Sequence, residues 1–320
     1  IWGNESPTNM GYGAYGHDEW GAYASYEHLE NSFAFRLTSG YANYVDDQDF
    51  TWSDSYLSLN AGSWLFSVGS LDRWWGQGWQ HNLILSSNAK ATSDISLSYI
   101  GDGVGLGKWN METILSQPEG AAQDNHAAIR VMSKPFDFLE YGLTYQLWFD
   151  KSNFNEGDKQ AALDAKVSLP EISSLYHSVY AELASTSTTN ELGAWLLGWT
   201  GQFSFLNQSW RLVLENLQSS DNKAQAVWEK GNYPSYSKNV VRNNYLVDDS
   251  WSVSMYLQME NDHDMSIALR QSSKSSEDIT DIKASYRLLA FAGMVNLGVG
   301  HLSEGDKSDN QFWSAYEFRF

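Results

Sequence analysis

The chain contains no cysteine, so no disulfide framework, thiolate nucleophile or Cys-bound metal is available to it. Proline is scarce: Pro7, Pro118, Pro135, Pro170 and Pro234 are all there is. Each falls between or at the ends of the segments described below, where a residue lacking an N–H least disturbs a strand ladder. Cations are few, 20 Lys and Arg against 39 Asp and Glu, for a formal net charge of -19. That balance excludes nucleic acid as a partner, because phosphates demand a basic face. It equally disfavours a helix lying on anionic lipid. No apolar run approaches the ~18 residues of a membrane helix. The nearest, Leu288 to Gly300, is interrupted by Asn296 and several glycines. The opening Ile1-Trp-Gly-Asn-Glu-Ser-Pro has neither the basic nor the apolar region of a signal peptide, so the sequence reads as mature or truncated upstream.

What is abundant is aromatic side chain, 15% of residues, set in strands of alternating character. In 138–150, Leu139, Tyr141, Leu143, Tyr145, Leu147 and Phe149 oppose Glu140, Gly142, Thr144, Gln146, Trp148 and Asp150. Trp251, Val253, Met255, Leu257 and Met259 oppose Ser252, Ser254, Tyr256, Gln258 and Glu260. Similar patterns recur over the whole length, and none longer than a turn has helical spacing. Side chains alternate across a strand with period two, so the chain reads as all-β with one apolar and one polar face per strand. At the C-terminus, Phe312, Ser314, Tyr316, Phe318 and Phe320 share the side suited to lipid or a core. Trp313, Ala315, Glu317 and Arg319 share the side that needs water or a partner. A chain ending on an aromatic in such a strand resembles bacterial outer-membrane barrels.

Connections alternate in length. Tight turns near 29–31, 60–62, 134–137, 169–173, 206–208, 261–263 and 289–290 interleave with longer links, as expected for barrels with short periplasmic turns and long external loops. Counting back from Phe320 makes the last strand descending and puts 42–53, 71–92, 217–249 and 302–310 outside. The segments number about 17, and single-chain barrels have even strand numbers, so the expectation is an antiparallel transmembrane barrel of 16–18 strands, a single domain over 1–320. The odd count leaves one upward strand to precede or include Ile1.

The densest chemical signal is Leu71-Asp-Arg-Trp-Trp-Gly-Gln-Gly-Trp-Gln-His-Asn. Indoles stack on the apolar face of a pyranose while amides and charges bond its hydroxyls, which nominates Asp72, Arg73, Trp74, Trp75, Gln77, Trp79 and Asn82. The same residues could equally anchor a loop inside the lumen or at the aromatic belt. A second candidate surface, in 217–249, is locally basic and aromatic, with Trp228, Lys230, Tyr233, Tyr236, Lys238 and Arg242 suited to acidic sugars. Inward positions carry charges of both signs, among them Asp94, Arg130, Asp164, Glu182, Glu215, Arg270, Asp281 and Lys283. They read as salt-bridged lumen packing, with a charge-selective pore as the alternative.

The run Val68-Gly-Ser-Leu-Asp-Arg-Trp-Trp-Gly-Gln-Gly-Trp, continuing to Leu83-Ile-Leu-Ser-Ser-Asn-Ala, resembles the signature of the capsule assembly Wzi family. The resemblance implies an outer-membrane barrel of about eighteen strands, acting as a surface lectin that organises capsular polysaccharide. That family usually carries a further N-terminal region with helical segments, which has no counterpart here. No HExxH metal spacing, Gly-x-Ser-x-Gly elbow or phosphate loop occurs, so the reading is a non-enzymatic binder without cofactor or metal. Its partners are surface polysaccharide and outer-membrane lipid. A porin-like channel for small anionic or sugar solutes is the alternative, and a barrel enzyme acting on lipid or glycan a third reading.

Overall fold

The computed structural model describes residues 2–3, 20–44, 47–71, 73–85, 92–118, 122–151, 156–220, 247–274 and 277–318. The strands in chain order begin with β1 Trp2–Gly3, β2 Trp20–Leu29, β3 Phe33–Tyr44, β4 Asp47–Thr51, β5 Tyr56–Ala61 and β6 Trp64–Ser70. They continue with β7 Ser93–Gly103, β8 Gly107–Ser116, β9 Asn125–Phe136, β10 Leu139–Phe149, β11 Asp158–Ile172, β12 Leu175–Ser185 and β13 Leu192–Phe205. The last six are β14 Gln208–Ser219, β15 Asp249–Gln258, β16 Asp264–Lys274, β17 Glu277–Ala290, β18 Gly293–Glu304 and β19 Lys307–Phe318. Every pairing is antiparallel, and from β6 to β18 each strand pairs with both its sequence neighbours. β4 folds back on the end of β3, and β5 takes up pairing with the start of β3. Apart from β1 and β4, this leaves the expected long strands. β1 pairs on one side with β19 and on the other with β2, so it lies between the last long strand and the first.

Register explains the two faces. Leu143, Leu163 and Leu183 sit side by side across β10, β11 and β12, and all three are exposed on the outer surface. One residue away, Gly142, Asp164 and Glu182 are likewise in register, and both acids are fully buried. The sheet is thus apolar outside and polar inside, the opposite of a water-soluble domain and the arrangement that hydrocarbon stabilises. The terminal strand obeys the same parity: Phe312, Tyr316 and Phe318 point outward while Trp313 is buried. Phe320 and Arg319 lie outside the described residues. A Leu143→Arg substitution at mid-strand is expected to cost about 2–4 kcal/mol, against about 0–1 kcal/mol for Phe318→Arg near the rim, read by urea unfolding of the barrel in lipid vesicles.

The short connections collect at one end. Ser173-Ser174, Leu206-Asn207 and Phe291-Ala292 are two-residue hairpin turns with both φ angles positive, between +47° and +69°, which matches the right-handed strand twist. These turns carry no Asn-Gly signature, so alternation alone displaced the expected turns at 169–173 and 289–290 by a residue or two. A larger difference appears at the other end. The segment 302–310, expected as a long loop, is strand: β18 runs to Glu304 and β19 starts at Lys307. At the same end only 275–276 separate β16 from β17. Strands that project beyond the lipid are polar on both faces, so their sequence mimics a loop. For the same reason β3 and β4 occupy most of 42–53.

Candidate functional site: an aromatic strap across the lumen

The described part of the connection from β6 to β7 does not stand outside the barrel. Residues 73–85 fold into the lumen, and Gln80, His81, Asn82, Leu83 and Ile84 are almost completely buried. At one end Arg73 pairs with Asp94 on β7, Nη2 to Oδ1 at 2.8 Å, and donates from Nε to Glu112 on β8 at 3.0 Å. At the other, Gln80 Nε2 donates to the Tyr256 hydroxyl on β15 at 2.9 Å, and His81 Nε2 lies 2.7 Å from Ser250 Oγ. β7 and β15 stand nearly opposite each other in the strand order, so residues 73–81 form a strap from wall to wall.

Two inward carboxylates seat its backbone. Glu182 accepts N–H groups from Gln77, Gly78 (2.7 Å) and Leu83 (3.0 Å). Glu215 accepts those of Trp79, Gln80 (2.7 Å) and His81 (3.0 Å), together with the Tyr180 hydroxyl at 2.7 Å. A strap has no ladder of its own to satisfy buried N–H groups; these two acids supply the acceptors. Burial pushes the His81 imidazole below its ordinary pKa despite the adjacent Glu215, so the ring is neutral at physiological pH. Its Nδ1 is 3.1 Å from Glu215, which assigns the single ring proton to Nδ1 and leaves Nε2 to accept from Ser250.

The glycines serve the same seat. Gly76 has φ +122°, and a Cβ there would stand 2.4 Å from Glu182 Oε1. A Cβ on Gly78 would stand 2.0 Å from the His81 carbonyl oxygen. Apolar packing completes the fit: Trp75, Leu83 and Ile84 join Ile114, Trp148 and Leu196 of the wall in one cluster.

The structure brings the described sequence-nominated residues together, and it employs their polar atoms on the protein itself. Trp74 Nε1 donates to the Gly78 carbonyl at 2.8 Å, and Trp75 Nε1 to Glu112 at 3.1 Å. Gln77 Nε2 donates to Asp164 at 2.9 Å. Asn82 bonds the Trp75 carbonyl through Nδ2 and the Ile84 N–H through Oδ1, both at 2.8 Å. The Arg211 guanidinium lies 4.8 Å above the Trp79 ring, whose other neighbour is Tyr256. Asp72, Trp228, Lys230, Tyr233, Tyr236, Lys238 and Arg242 lie outside the described residues. Sequence reasoning recognised Glu182 and Glu215 only as luminal charges. Their signal was a lone acid among small and apolar inward neighbours, as in Tyr180-Ala-Glu-Leu-Ala184; their ligand, the strap backbone, has no signature. Among the described residues no group of three His, Asp or Glu is arranged to hold a metal ion.

The first half of the barrel, strap included, has a known counterpart in sequence. Residues 5–150 match the family model of the capsule assembly protein Wzi. The Wzi likeness extends to the whole fold. A solved Wzi from Escherichia coli, an outer-membrane protein involved in group 1 capsule assembly and described as a carbohydrate-binding β-barrel, superposes with a TM-score of 0.84. That match covers 99% of this chain and 83% of that one at 14% identity. Pseudomonas aeruginosa OprD superposes less well, with a TM-score of 0.56 at 9% identity over 93% of this chain and 90% of that one. OpdQ of the same organism gives 0.57 at 10% identity over 93% and 92%. At such identities these structures establish the barrel fold alone. No curated protein sequence matches the chain.

Proposed function

We propose that this Wzi-like chain is an outer-membrane barrel that binds capsular or other surface polysaccharide and helps hold it at the cell surface, without catalysing a reaction. The observation that carries the reading is the strap: a tryptophan-rich segment, inside the Wzi-matched region, tied to β7 and β8 through Asp94 and Glu112 and to β12 and β14 through the buried carboxylates Glu182 and Glu215. A lumen crossed in this way is a poor conduit for solutes, which favours a binder over a porin. The solved Wzi it resembles is described as carbohydrate-binding, and the strap concentrates the indole, guanidinium and amide groups that sugars use. The apolar outer face suits outer-membrane lipid. By sequence, segment 217–249 adds Trp228, Lys230, Tyr233, Tyr236, Lys238 and Arg242 as contacts for acidic sugars, and Asp72 is a further candidate next to Arg73 in the chain.

The test is retention of capsular polysaccharide by the purified protein and by its Trp74→Ala, Trp75→Ala and Trp79→Ala variants, each checked for heat-modifiable mobility on gels as proof of assembly. Loss of each aromatic contact, about 0.5–1.5 kcal/mol apiece, should lower retention by at least about tenfold for the triple variant. Steady ion conductance by the wild-type protein, with no glycan retained, would replace the binder with a channel.

A further inference from the structure

Beneath the strap lies a half-enclosed cavity of about 290 Å³, lined by Arg73, Trp74, Trp75, Gly76, Asn110, Glu112, Arg130 and Met132. Its position along the barrel follows from register. Asn110 pairs with Met132 and Glu112 with Arg130; the first pair stands near the Val104-Gly-Leu106 turn that joins β7 to β8, and the second sits at mid-strand. By contrast, Leu83 and Ile84 of the strap meet Gln160 and Gln146, close to the opposite ends of β11 and β10. The cavity therefore faces the short-turn, periplasmic end, away from the long connections.

Its chemistry is specific. The Trp74 and Trp75 rings cannot spin freely, because each indole N–H is bonded, to Gly78 and to Glu112, so both indoles lining the cavity are held in place. The Glu112 carboxylate, shared by Arg73 and Trp75, keeps further lone-pair directions for hydroxyl donors. Arg130 Nε is buried with no hydrogen-bond partner, while its other nitrogens hold Asp164 and Thr144. Asn110 adds an amide, both donor and acceptor. Charge decides which sugar fits. The two guanidiniums, Arg73 and Arg130, face three carboxylates, Asp94, Glu112 and Asp164, so the site has no cation to spare for an anionic ligand.

We infer that this cavity is a binding site for one neutral pyranose, entered from the short-turn end of the barrel. It rests on the carbohydrate-binding reading above and adds to it a position, a size and a charge. At about 290 Å³ it stands at the bottom of the ~300–1,000 Å³ range of small-molecule sites, with room for a single ring and not for a run of linked sugars. It would therefore take a chain end or a free monosaccharide, whereas acidic sugars belong to the basic 217–249 segment.

Isothermal titration of the detergent-solubilised protein with glucose, galactose, mannose and glucuronate tests this, beside retention of capsular polysaccharide. At least one neutral hexose should bind, with glucuronate at least about tenfold weaker, a difference of about 1.4 kcal/mol. Met132→Trp fills the cavity and Asn110→Leu removes its amide without adding bulk. Each should weaken hexose binding about tenfold or more, while the long connections still retain polysaccharide in both. Asn110→Leu keeps the test decisive if the bulkier variant fails to assemble. Polysaccharide retained but no hexose bound, or hexose bound equally by assembled Asn110→Leu, overturns the cavity site and leaves the surface reading standing. Failure of both ligands overturns both. Glucuronate binding as tightly as the hexoses overturns the assignment to a neutral ring.

Discussion

Glu215→Ala is expected to release the strap and open the lumen. Its two oxygens accept the N–H groups of Trp79, Gln80 and His81 and the hydroxyl of Tyr180. Removing them orphans each of these donors at about 1–3 kcal/mol apiece. Water entering the gap recovers part of that sum, and the remaining Arg73, Gln80 and Glu182 contacts hold the strap less firmly along residues 79–81. Single-channel recording in planar bilayers should show conductance for Glu215→Ala above wild type, and larger still for Glu182→Ala/Glu215→Ala, which also abandons the Gln77, Gly78 and Leu83 amides. Glu215→Gln, which keeps one acceptor oxygen and loses the charge, should fall between. Unchanged conductance in the assembled double variant would mean that the strap is held by its apolar cluster alone.

Gly78→Val is expected to unseat the strap from within. A Cβ at this position would stand 2.0 Å from the His81 carbonyl oxygen and 3.2 Å from Leu196 Cδ1. The nearer obstacle is backbone, which cannot swing aside like a side-chain end, so the turn carrying residues 78–81 must open. The strands do not depend on it, and the barrel should still assemble. Hydrogen exchange should then rise strongly for the amides of 78–84 while those of β10 to β14 stay protected. Gly62→Ala, at a turn glycine with φ +67° and no atom within 4 Å of its would-be Cβ, is the control. It should cost only the ~1–2 kcal/mol of left-handed backbone and leave the strap untouched. Loss of protection across the whole barrel in Gly78→Val would make the strap part of the folding core instead.

Much of this architecture was legible in the residues. Period-two alternation predicts the lipid-facing row Leu143, Tyr145 and the luminal row Thr144, Gln146 of one strand, and both rows are found. It also predicts Arg130, Asp164, Glu182 and Glu215 as inward charges. A strand in a barrel meets only two environments, lipid and lumen, so each residue's polarity reports its face directly. The limits of the strands were less legible. Beyond the lipid both faces meet water, the contrast disappears, and β18 and β19 read as a loop over 302–310.

The candidate site divides along the same line. Arg73, Trp74, Trp75, Gln77, Trp79 and Asn82 announce themselves by density, and their sequence was compatible with an external sugar-binding loop and with a lumen anchor. Nothing local distinguishes the two, because indoles, amides and glycines serve both. The choice was made by residues far away in the chain: Asp94, Glu112, Glu182, Glu215 and Tyr256, contributed by separate strands and aimed at the same stretch of backbone. By itself the sequence determined the barrel, its inside and outside, and the tryptophan-rich cluster, since these follow from local alternation and composition. Only the tertiary structure decided that the cluster lies inside, seated on buried carboxylates above a cavity, because a backbone N–H accepted by a distant acid leaves no mark on the residue that bears it.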